Sequence, residues 1–77
     1  MGSEEVVLNF SRDEALVLFE WIARFNKSEG TKFEDQAEER VLWNIEAMLE
    51  SVLVEPFKPE YSELLARARA AVRDSEE

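Results

Sequence analysis

The sequence predicts a mostly α-helical fold, in which a short N-terminal β-strand is followed by three helices packed as a small bundle. Three observations carry this expectation. Apolar residues recur at spacings of three and four through three separate stretches, the period of one helix face. A capping signal opens the first stretch and a proline the last. Ahead of all three, Val6, Leu8 and Phe10 alternate with Val7 and Asn9, and that period of two belongs to a strand.

Ser11 followed by Glu14 forms a capping box, so the first helix is expected from Arg12 to about Asn26. Ala15, Leu18, Phe19, Ile22 and Phe25 make its core stripe. Leu16, Val17 and Trp21 widen the apolar surface, and Asp13, Glu20, Arg24 and Lys27 leave only a narrow polar strip. Residues 27–32 read as a polar connection in which Gly30 stops the helix, with Phe33 stapling the next one. Either Thr31 with Glu34 or Asp35 with Glu38 caps a second helix that runs to about Ser51. Ala37, Val41, Leu42, Ile45, Met48, Leu49 and Val52 share its expected buried face. Pro56 and Pro59 disfavour helix at the residues before them, so residues 55–58 are expected to be extended, with Phe57 plugging the core. Pro59 then opens a third helix, whose Tyr61, Leu64, Leu65, Ala68, Ala71 and Val72 form the apolar face. Residues 1–4 and 74–77 are expected to fray.

A chain of 77 residues makes one domain, and 45% hydrophobic residues against 35% charged ones is a folding composition. The lone strand needs a partner for its backbone, either residues 52–54 of the same chain or residues 6–10 of a second copy. The second copy is favoured. A domain this small without disulfides gains from association, and the first helix is too apolar for one neighbour.

Composition excludes most chemistry. Neither histidine nor cysteine is present, which removes the usual neutral-pH acid–base, the thiolate nucleophile and the commonest transition-metal ligands. No serine has a histidine to activate it, and two glycines build no phosphate loop. The expectation is a protein that is not an enzyme and holds no cofactor. Absent cysteine and an N-terminus without the basic and apolar regions of a secretory signal point to the cytoplasm. The most apolar run, residues 15–25, is broken by Glu20 and Arg24 and is too short to span a membrane. A net charge of −9 opposes direct binding to nucleic acid or anionic lipid.

That charge is concentrated. Glu34, Asp35, Glu38, Glu39, Glu46 and Glu50 face a single base, Arg40, across the second helix. Trp43 falls on the same side as Glu39, Glu46 and Glu50, and tryptophan on a polar helix face is a residue of interface hot spots. The alternative is that the strand or Phe57 covers it. Trp21 and Val17 pose the same question on the first helix, where cover by the third helix is expected. The leading reading is a non-catalytic protein-binding module, a homodimer that engages a partner with a basic patch through Trp43, Glu39, Glu46 and Glu50, joined by Trp21 and Val17. An acidic DNA mimic is the second reading. A carboxylate-based, metal-dependent enzyme using Asp35, Glu38 and Glu39 is the third, against which stands the simpler role of those acids at a helix start.

The stretches 11–21 (SRDEALVLFEW), 35–43 (DQAEERVLW) and 53–57 (LVEPF) resemble small acidic bacterial proteins of uncharacterised function. That resemblance implies a stand-alone bacterial protein and carries no catalytic or ligand motif. The strand–helix–helix opening also resembles ribbon-helix-helix regulators, yet residues 6–10 offer only Asn9 as a base-reading side chain.

Overall fold

A computed structural model describes residues 4–28 and 33–74, and its regular structure is helical: α1 (Arg12–Lys27), α2 (Gln36–Val52), a single 3₁₀ turn (Glu55–Phe57) and α3 (Tyr61–Asp74). Among the described residues, no helix is long and apolar enough to cross a membrane. The start of α1 is the expected capping box. Ser11 Oγ accepts from the Glu14 N–H at 3.0 Å, and Glu14 Oε1 accepts from the Ser11 N–H at 2.9 Å. Asp35 is the residue that caps α2, its Oδ1 accepting from the Ala37 N–H at 2.8 Å. Glu38 reaches back one residue beyond the cap, to the Glu34 N–H at 2.9 Å. Gly30 and Thr31, invoked for the connection before it, lie outside the described residues.

Both other long helices pack on α1. Asn26 meets Glu46 near one end of the α1–α2 contact, and Arg12 meets Glu55 just past its other end, so these helices run antiparallel. On α3, Tyr61 bonds to Glu20 while Val72 lies beside Glu14, which sets α3 antiparallel to α1 as well. The core is correspondingly centred on α1. Ala15, Leu16, Phe19 and Ile22 meet Leu49 and Leu53 from one side and Leu65 and Ala68 from the other. Ile22 is the most enclosed large side chain, at 1% exposure. Leu16, which the sequence places on the flank, is core because α1 has neighbours on two sides. Phe33 is half-buried and packs edge-on against Phe25, 5.8 Å between ring centres, so it ties the start of α2 to the end of α1.

Several expectations are corrected. The strand at Val6, Val7, Leu8, Asn9 and Phe10 is not formed: residues 4–10 have no regular secondary structure and are exposed. Its proposed partner within the chain, residues 52–54, is committed elsewhere, since Val52 ends α2 and Leu53 caps it through a backbone bond to Leu49 O at 2.9 Å. Residues 55–57 are not extended. Proline's fixed φ suits a 3₁₀ turn, and Pro56 occupies its first turn, where a missing N–H costs nothing. Phe57 does not plug the core and stands 69% exposed. The face expected to bury α2 does so only in part: Leu49 is buried, Leu42 and Ile45 are half-buried, and Ala37, Val41, Met48 and Val52 are exposed. α3 starts two residues after Pro59 and keeps its helix through Asp74, the first residue expected to fray; residues 75–77 lie outside the described residues.

Two phenylalanines separate this packing from the sequence expectation. Phe19→Ala should cost about 3–5 kcal/mol, while Phe57→Ala should stay within roughly 0.5 kcal/mol of the parent, because only the first empties a packed site. Urea unfolding followed by circular dichroism measures both, and comparable losses would contradict the placement of Phe57.

Candidate functional site

The acidic side chains of this protein divide into those engaged within the fold and those left on the surface. Glu14, Asp35 and Glu38 accept backbone N–H bonds at helix starts. This is what the first turn of a helix asks of carboxylates, and it accounts for Asp35 and Glu38 of the Asp35, Glu38 and Glu39 cluster that the metal reading used. Among the described residues, no three acidic groups gather closely enough to hold a metal ion. Glu55 forms a two-pronged pair with Arg12, at 2.9 and 3.1 Å. Glu20, expected on the solvated strip of α1, instead lies under α3 and accepts a 2.7 Å bond from the Tyr61 hydroxyl. Glu46 accepts from Asn26 Nδ2 at 2.7 Å in a half-buried site. Asn26 Oδ1 has no partner there.

Two of these contacts move acidities. The hydrogen bond from Arg12 is the largest influence and, with smaller help from backbone N–H groups at residues 54–55 and from the Arg12 charge, holds the Glu55 carboxyl below its ordinary value of 4.5 although burial acts the other way. Burial first, then the bond to and charge of Glu20, push the Tyr61 hydroxyl well above its ordinary value of 10.0, against a smaller opposing effect of Arg69.

The six side chains expected to form one partner surface fall into two groups. With about 100° of rotation per residue, Leu42 and Leu49 mark the side of α2 that faces the core. Trp43 stands roughly 100° round from them on one flank, with Glu39 and Glu46 between it and the core and Glu50 beside it. Trp43 is 51% exposed, so any cover of it is partial, and Val6, Leu8 and Phe10 line a cavity on the other flank of α2. With Glu46 engaged, Glu39 and Glu50 are the carboxylates left beside the indole, on its core-ward side, and Arg40 stands on the other. On the opposite flank of α2, Val41, Met48 and Val52 face away from Trp43.

Trp21 and Val17 belong to a different place. They line a groove of about 340 Å³ between α1 and α3, together with Leu18 and Val72, and Arg24 and Arg69 stand at its side. The Trp21 ring stacks on Phe25 at 5.0 Å between centres and remains 45% exposed, so cover by α3 is partial. Leu18 also lines a second cavity with Met48 and Val52, which places Trp21 on the side of the molecule away from Trp43. That second cavity is the feature sequence reasoning missed. It lies where residues 6–10 pass α2, and its signal was the width of the α2 stripe: the seven apolar residues span about 140° of arc, more than one contact with α1 covers.

Comparison with protein families, characterised proteins and solved structures finds no match to this chain. Function is therefore read from its own geometry.

The two shifted groups predict the pH limits of the fold. The lowered acidity constant of Glu55 means that its stabilisation is complete above the ordinary carboxylate range and is lost as pH falls through the lowered value. Glu55→Gln should remove that part of the acid dependence at a cost within about 1 kcal/mol near neutrality, because Arg12 is half exposed. For Tyr61, raised in the folded state, stabilisation is complete below the ordinary tyrosine range and is lost as pH rises above it. Tyr61 is the only tyrosine in the chain, so tyrosinate absorbance reports it directly. Ionisation should be delayed until the helices melt, and Tyr61→Phe should cost about 1 kcal/mol at neutral pH. A hydroxyl that titrates normally in the folded protein would contradict the Glu20 contact.

Proposed function

We propose that this protein is a non-catalytic protein–protein interaction module, and that Trp43 with Glu39 and Glu50 on α2 is the face that takes a partner with a basic surface. The observation that carries this reading is the exposed indole at the edge of the acidic flank of α2, beside Glu39 and Glu50. Aromatic anchors supply much of the affinity of an interface, and flanking carboxylates speed encounter with a basic patch. Without histidine or cysteine, and with Asp35 and Glu38 of the three acids in the metal-site reading engaged at the start of α2, catalysis has less to recommend it. The DNA-mimic reading needs an uninterrupted row of solvent-facing carboxylates, and Glu46 turned onto Asn26 interrupts that row. Trp21 and Val17 are set aside from this face by their position on the other side of the bundle. The same proposal includes self-association: residues 6–10 serve as the strand of a homodimer, since their backbone has no partner within the described chain.

Immobilised protein should capture a basic partner from an extract of a bacterial source at low salt and release it as salt rises. Trp43→Ala should abolish that capture, and Glu39→Gln with Glu50→Gln should weaken it, while helical melting stays close to the parent. Capture that Trp43→Ala leaves unchanged would reject this face, and release by duplex DNA would favour the mimic instead.

A further inference from the structure

Residues 6–10 lack strand hydrogen bonds and still keep a strand's alternation. Val6, Leu8 and Phe10 line a cavity of about 390 Å³ against Ile45, Met48 and Val52 of α2, while Val7 and Asn9 do not. All the side chains that line it are hydrophobic. It is nonetheless poorly closed, with Val6 at 89% exposure and Met48 at 60%. Among the described residues, residues 4–10 make no backbone hydrogen bond, so the segment presents both backbone edges unpaired.

We infer that a second copy of this chain completes this surface: residues 6–10 of the two copies pair antiparallel, and the ribbon's apolar underside is seated on the Val41, Met48 and Val52 flanks of both α2 helices. This rests on the self-association reading above and adds the helix face that receives the strand. A two-fold axis near Leu8 sets Val6 opposite Phe10, so Val6, Leu8 and Phe10 of both copies stay on the helix side while Val7 and Asn9 face away from it.

Three observations favour a second copy as the occupant. First, the amount of surface is right. A compact folded chain of 9.0 kDa exposes roughly 4,900 Å², whereas this one exposes 6280 Å². That surplus is spread over the whole chain, and Val6, Leu8, Val41, Met48 and Val52, each more than half exposed, supply part of it on this face, against the roughly 800 Å² that each partner contributes to an ordinary interface. Second, the patch is poor in charge where the molecule is rich in it. Its neighbours on α2 are Asn44, Ser51 and Glu38, the last turned back onto the Glu34 N–H, and Glu39, Glu46 and Glu50 lie on the other flank. Two chains of −9 repel over most of their surfaces, and this is a face on which they can meet. Third, an unpaired extended segment is self-complementary under a two-fold, because each copy offers the same backbone edge.

Sedimentation across a concentration series tests this on the full chain. The parent should be a dimer at micromolar concentration, and added salt should tighten it by screening the like charges, opposite in sign to the partner binding proposed for Trp43. Met48→Glu should raise the dimer dissociation constant more than about tenfold by placing a charge in the apolar contact. Its helical melting should remain cooperative. Val41→Lys should act in the same way and decides the matter if Met48→Glu fails to fold. A parent that stays monomeric overturns this inference and the self-association reading together. A dimer indifferent to both substitutions overturns the α2 surface alone. Trp43→Ala should leave the dimer intact, so failure of the partner reading is seen separately.

Discussion

α1 has protein on two sides, and the rest of the structure depends on that sandwiching. Ile22, Phe19, Ala15 and Leu16 supply half of the buried core, and each of the other helices adds only one or two buried residues to it. A small domain holds a limited apolar interior, so removing one large side chain from α1 takes away a sizeable part of what opposes chain entropy. The polar contacts at the edges of the sandwich follow from the same arrangement. Glu20 finds Tyr61 because α3 crosses α1 there, and Glu46 finds Asn26 because α2 closes the other side. Each contact fixes the register of a helix pair more than it adds net stability. The buried Asn26 Oδ1 without a partner is the energetic cost of one of them.

The helices were legible because their signals are local. Ser11 and Glu14 satisfy one another's backbone partners within a single turn, and that geometry needs no information from elsewhere in the chain. The same holds for Asp35, for which sequence left one rival, and for the apolar repeat of α3 around Leu65 and Ala68. What sequence could not assign is decided between elements. Met48 and Leu49 are adjacent and both apolar, and periodicity placed them on one stripe. Only the position of α1 makes one buried and the other exposed. Glu20 sat on a polar strip until α3 was laid over it. Pro56 speaks against α-helix and equally allows a 3₁₀ turn, so of the connector expected to be extended only Lys58 is, and residues 55–57 turn. For the candidate site, sequence identified Trp43 with its acidic neighbours, and it joined to them a Trp21 that the fold sets on another side.

The charge of −9 looks uniform in composition and is not so in space. Caps and cross-element contacts absorb Glu14, Glu20, Asp35, Glu38, Glu46 and Glu55, whose charges are balanced by N–H groups, a hydroxyl, an amide or a guanidinium. Glu39 and Glu50 have no such role among the described contacts, and they are the pair beside Trp43. An acidic patch is ordinarily a solvated surface. Here the uncommitted charge coincides with an uncommitted indole, and the coincidence is what gives the partner reading its weight.

The two flanks of α2 pull in opposite directions electrostatically, and this makes them separable. Apolar contact between like-charged copies strengthens as salt screens their repulsion, whereas attraction of carboxylates to a basic surface weakens. Because the core-facing side of α2 lies between the flanks, neither contact has to be broken to make the other. In the proposed dimer the Trp43 faces would be duplicated about the two-fold and point away from the ribbon. A partner carrying two basic patches at the matching distance would then gain affinity from geometry alone, without any contact that a single copy lacks. The excess apolar surface of the single chain and the acidic aromatic flank are thus two consequences of one arrangement, a helix held to the core by only part of its apolar stripe.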